Sequence, residues 1–83
     1  METIHLRFSA SRAPYVRTKP LHPQQQIVAN DAEGMDVVLH LIPTQELLTQ
    51  LLGYGADLKV LAPLSLQEKM RQVLRRSLEA YEG

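Results

Sequence analysis

The chain has 83 residues, 45% apolar and 22% charged, and its nine basic and nine acidic side chains leave no net charge. That balance excludes a disordered chain, which would be poor in apolar residues and strongly charged. It also argues against autonomous DNA binding, whose affinity comes from an excess of cations against phosphates, and the absence of cysteine excludes disulfides, thiolate metal sites and cysteine catalysis together.

A chain of this length supports one domain, with about 60–65% of its unfolded surface buried. No apolar run approaches the roughly 18–20 residues of a membrane span, and the N-terminus lacks a signal-peptide core, so a cytoplasmic protein is expected. The charge is unevenly spread. Residues 1–22 carry four basic groups against one acidic, residues 23–68 one against six, and residues 69–83 four against two.

Thr3 to Ser9 alternates, with Ile4, Leu6 and Phe8 on one side and His5 and Arg7 on the other, the pattern of a half-buried strand. Ser9 or Ser11 is placed to cap a short helix over Ala10–Arg17, with Pro14 tolerated in its first turn. Two prolines in Thr18–Pro23 make an extended connector. Gln24–Asn30 reads as a polar edge strand with Ile27, and with it Gln25, facing in. Asn30 to Gly34 is a hairpin loop in which Gly34 is expected to supply a positive φ.

Asp36–Ile42 is the third strand. Val37, Leu39 and Leu41 face the core, and Val38, His40 and Ile42 make an unusually apolar opposite side. Thr44 is a good N-cap for a helix carrying Leu47, Leu48, Leu51 and Leu52 and ending near Gly53. Gly53 and Gly55 bracket Tyr54 and suit a left-handed helix end. Leu58, Val60 and Ala62 form a fourth strand that Pro63 stops. Ser65 with Glu68 has the spacing of a capping box for a last helix whose apolar face holds Leu66, Met70, Val73, Leu74, Ser77, Leu78 and Tyr81.

This order, β-α-β-β-α-β plus a C-terminal helix, predicts an α+β domain. It fits a ferredoxin-like two-layer sandwich with one additional helix. In that arrangement the first and third strands are central and antiparallel. Helices cover one sheet face, and His5 and Arg7 lie beside Val38, His40 and Ile42 on the open one.

His5 and His40 can then be cross-strand neighbours, but no carboxylate is expected on that face to complete a metal site. Asp31, Glu33 and Asp36 read as turn residues. There is no nucleophile elbow and no phosphate-binding glycine loop, and the position after the first strand holds Arg12 without glycines, so no enzyme is expected and no cofactor. With only four aromatics, and Phe8 of core parity, a base-stacking platform is also not expected. Arg7, Arg12 and Arg17 are candidates for an anion-binding patch. Arg71, Arg75 and Arg76 read as the solvated side of the last helix.

Several motifs stand together in one order. They are IHLRFSASRAPYVRT at the start, His22-Pro23-Gln24-Gln25, the DAEG loop, Tyr54-Gly55, Val60-Leu61-Ala62-Pro63, and Leu66 and Tyr81 in the last helix. In this the chain resembles, over almost its whole length, the C-terminal extension of WYL-domain transcriptional regulators, the WCX domain. It departs in having Gln24 where the family has serine in H-P-S-Q, and two extra residues in its D-G turn.

The resemblance implies a single domain over residues 1–83, excised from a longer bacterial regulator with a winged-helix DNA-binding domain and a WYL domain. It implies a role in ligand sensing and oligomerisation. The partners would be the WYL domain of the same or the partner subunit, a homodimer in the full-length protein, and an anionic or nucleic-acid effector. DNA would be contacted only through the absent N-terminal domain. On this reading the ligand or interface candidates are His5, Arg7, Arg12, Arg17, Val38, His40 and Ile42. The competing expectation is a free-standing small-molecule sensor of ferredoxin-like shape.

Overall fold

The computed structural model describes residues 2–82. Four strands, β1 (Glu2–Ser9), β2 (Gln26–Asp31), β3 (Gly34–Leu41) and β4 (Leu58–Ala62), form one antiparallel sheet in the order β2-β3-β1-β4. The helices are α1 (Ala13–Thr18), α2 (Gln45–Leu52) and α3 (Leu64–Glu82), with a single 3-10 turn at Gly55–Asp57 before β4. The fold is therefore mixed α+β. Among the described residues no helix is long and apolar enough to cross a membrane.

The core lies on one face of the sheet. Ile4, Leu6 and Phe8 of β1 and Met35, Val37 and Leu39 of β3 are fully buried there. They meet Ala13 and Val16 of α1, Leu47, Leu48 and Leu51 of α2, Val60 of β4, and Leu66 and Met70 of α3. The alternation in β1 and β3 is thus realised as read, because each places every second side chain against the helices. Phe8 closes one end of this core with its ring edge-on to Tyr54, centroids 5.2 Å apart.

Local signals account for most of the boundaries. Thr44 caps α2, its Oγ1 accepting from Leu47 N at 3.1 Å. Pro14 lies in the first turn of α1. That helix starts at Ala13 rather than Ala10, and Arg12 at its N-cap makes no side-chain cap. Ser9 instead braces the approach: its Oγ accepts from Arg12 N at 3.3 Å and donates to Asp57 Oδ1 at 2.9 Å.

The glycines differ from expectation. Among the described residues only Gly55 has a positive φ, at 59°, whereas Gly53 is right-handed at φ −64°, ψ −17°. Gly34 closes the hairpin without a positive φ. The turn is held by Asp31 Oδ1, which accepts from Glu33 N at 2.8 Å and Gly34 N at 3.1 Å. Glycine is required at 34 for space, since a Cβ there would sit 2.4 Å from the Phe8 carbonyl oxygen.

Three further expectations change. The edge strand begins at Gln26, and every one of its residues is exposed. Ile27 pairs with Val37 on the helix side yet remains 46% exposed, because the helices do not extend over that edge. Gln25 lies outside the strand, its Oε1 accepting from Leu21 N at 2.9 Å. The third strand stops at Leu41, so Ile42 falls in the connector to α2 and is exposed. Finally, α3 starts at Leu64, which puts Ser65 inside its first turn rather than at the capping position.

The last helix also outruns what it packs on. Its N-terminal half lies along β4, where Gln67 Nε2 donates to the Val60 carbonyl at 3.0 Å, and Leu66 and Met70 enter the core. Leu74, Leu78 and Tyr81, expected on the same buried face, are instead 47%, 59% and 93% exposed. The five residues of β4 span about 16 Å and the nineteen of α3 about 28 Å, so roughly the last two turns run past the end of β4.

Candidate functional site

The sheet face turned away from the helices carries the side chains of opposite parity, and the register assembles them. Opposite residues of an antiparallel pair share a face. The pairs Thr3↔His40, His5↔Val38 and Arg7↔Asp36 therefore lie together on the open side of β1 and β3.

Asp36 organises this face. It is a strand residue and not a turn residue, and it supplies the carboxylate that the alternation of β1 alone did not suggest. His5 Nε2 donates to Asp36 Oδ2 at 3.1 Å. Arg7 Nη1 lies 3.4 Å from Asp36 Oδ1, and Arg7 Nη2 lies 3.8 Å from Asp31 Oδ1. Asp36 Oδ1 is buried and accepts no hydrogen bond, so the approach of Arg7 to it is an ion pair at van der Waals range and not an oriented hydrogen bond.

His40 lies one pair further along, in a 3.2 Å hydrogen bond between its Nδ1 and Thr3 Oγ1. The two histidines are thus diagonal rather than opposite, and each has its own partner. Among the described residues no three side chains of the metal-ligating kind converge. With Ile42 beyond the strand, the apolar members of this face are Val38, Ala62 opposite His5 and Ala29 opposite Asp36, and Lys59 lies opposite Arg7.

The three arginines do not meet. Arg7 lies on the open face beside two carboxylates. Arg12 is at the corner between β1 and α1, its guanidinium carbon 5.5 Å from the Tyr54 ring centroid and 5.9 Å from that of Tyr15. Asp57 Oδ2 lies 4.0 Å from Arg12 Nε. This cation is therefore held between two aromatic faces and a carboxylate, and it ties α1 to the turn before β4. Arg17 is exposed on α1, beside a shallow groove with Pro14 and Thr18, and forms no ion pair among the described residues.

Asp36, Thr3 and the two tyrosines flanking Arg12 were missed by sequence reasoning. Asp36 had a legible signal, since it shares parity with Val38 and His40. The tyrosines had none, because 39 residues separate them and only the fold brings both to Arg12.

A second surface adjoins β4 and α3. Leu58, Val60, Met70 and Leu74 line a groove of about 160 Å³, smaller than the roughly 300 Å³ at which pockets for drug-sized ligands begin. It opens onto the exposed Leu74–Leu78–Tyr81 stripe.

Comparison with known families gives one match: residues 1–78 fit the model of the WCX domain. No curated protein matches the chain. The family match stops short of Tyr81, so that residue of the expected resemblance lies outside it.

Proposed function

Because the chain belongs to the WCX domain family, we propose that it is the C-terminal sensing and assembly domain of a bacterial WYL-type DNA-binding transcriptional regulator. The observation that carries this reading is the family match over residues 1–78. The domain has no catalytic role of its own and works in the cytoplasm. It acts beside the WYL domain of the same or the partner subunit in a homodimeric regulator, and DNA is contacted by the regulator's N-terminal domain. The element order and the strand order β2-β3-β1-β4 support a ferredoxin-like sandwich extended by α3.

The electrostatics divide the two roles. On the open face Arg7 and Lys59, opposite each other on β1 and β4, stand against Asp36 and Asp31, so the cations are balanced rather than in excess. Such a surface suits a polar protein partner better than a bare phosphate. We assign His5, Arg7, Val38 and His40 to inter-domain contact, with Ile42 at its margin. An anionic or nucleic-acid effector is better served by Arg17, in the last turn of α1 and without an ion pair among the described residues, than by Arg12, which lies at the opposite end of that helix beside Asp57.

Two measurements test this. Arg7→Glu in the intact regulator is expected to weaken dimerisation, read by sedimentation. Arg17→Glu is expected to reduce the salt-sensitive binding of a short single-stranded oligonucleotide, read by fluorescence anisotropy. Dimerisation and oligonucleotide binding that both survive these changes would remove the assignment.

A further inference from the structure

The C-terminal half of α3 carries an apolar stripe that the described residues leave largely uncovered. Leu74, Leu78 and Tyr81, spaced i, i+4, i+7, line one face and are all exposed. The charges on the flank of that stripe are ordered. Arg71 and Arg75 come first and Glu82 last, all on the same side at about 100° per residue. None of the three forms an ion pair within the chain among the described residues. Glu82 moreover lies in the last helical turn, which holds no basic residue, and a carboxylate there opposes the helix dipole. The opposite flank carries Ser77 and Ala80, small enough to let another helix approach closely.

We propose that this stripe pairs with the same stripe of a second copy of the chain, antiparallel, about a two-fold axis near Leu78. Antiparallel helices bring like flanks together. An axis at Leu78 therefore sets Leu78 against its copy, Leu74 against Tyr81, and Arg75 against Glu82. Arg75 and Glu82 are thereby matched, whereas a parallel pair would set the charged flank against Ser77 and Ala80. The lengths also agree. Each helix runs past β4 by about eight residues, which is the overlap this axis requires, and Tyr81 of the copy reaches the groove of Leu58, Val60, Met70 and Leu74. A two-fold axis makes such a contact self-complementary and closed.

This inference rests on the reading of the domain as an assembly module and names one surface for it. Tyr81 and Glu82 lie beyond the matched residues 1–78, so the family match does not itself imply this contact. Two short overhangs bury less than the roughly 1,200 Å² of a stable standard interface, so a weak dimer is expected, with micromolar to millimolar dissociation.

Sedimentation equilibrium of the chain over that concentration range tests it. Leu78→Glu, at an exposed position, is expected to abolish the dimer without unfolding the domain, which circular dichroism checks. Arg75→Glu is expected to weaken association about threefold to tenfold, and adding Glu82→Arg to restore it. A chain that stays monomeric throughout, or a dimer indifferent to Leu78→Glu, overturns the proposal, and failure of the charge swap overturns the antiparallel arrangement. If the chain is monomeric while Leu78→Glu still disrupts the intact regulator, the stripe seats on another domain. In that case the assembly reading stands and this inference falls.

Discussion

The two halves of α3 carry the same sequence signal and meet different fates. Leu66 and Met70 follow the helical period into the core, and Leu74, Leu78 and Tyr81 continue it into solvent. The difference lies in the support, since β4 ends about two turns before the helix does. An amphipathic period thus reports that a face needs covering, and the covering element must be found separately. The sheet repeats the contrast: its helix side is covered by three helices except along the β2 edge, and its open side carries polar pairs around Asp36.

Substitutions can sharpen this comparison or break it. The largest effect is expected for Leu6→Ala on the covered sheet face, where a fully buried side chain leaves a cavity costing about 3–4 kcal/mol in denaturant unfolding. Met70→Ala should follow at roughly 2–3 kcal/mol, since Met70 keeps 7% exposure at the edge of the core. Gln67→Ala removes the bond from Nε2 to the Val60 carbonyl and should cost about 1 kcal/mol, loosening the buried half of the helix from the strand. The smallest effect is expected for Leu78→Ala, within about 0.5 kcal/mol measured at low micromolar concentration. A cost there equal to that of Met70→Ala would mean that the overhang is covered within the chain, and the contrast would collapse.

One prediction concerns the glycine that differs most from its sequence-based role. Gly34→Ala should destabilise by roughly 1–3 kcal/mol through the clash with the Phe8 carbonyl. If positive φ were the reason for glycine at 34, Gly34→Asn would be tolerated. The structure predicts that asparagine is at least as damaging as alanine, which thermal denaturation of the two variants decides.

By itself the sequence determined the order and kind of the elements, the covered faces of β1, β3 and α2, and the Thr44 cap. Each of these is written in a local period of two or 3.6 residues, or in a side chain that bonds its own neighbouring backbone. It also identified the family, through motifs that keep their order and spacing. Tertiary structure alone decided what depends on distances across the fold. Strand register carries Asp36 to His5 and Arg7, and the approach of β1 to the hairpin turns Gly34 from a conformational need into a steric one. The corner between β1 and α1 places Arg12 between Tyr15 and Tyr54. The unequal lengths of β4 and α3 decide where the apolar stripe stops being core and becomes surface, because burial depends on what stands opposite a residue and no period in the chain records that.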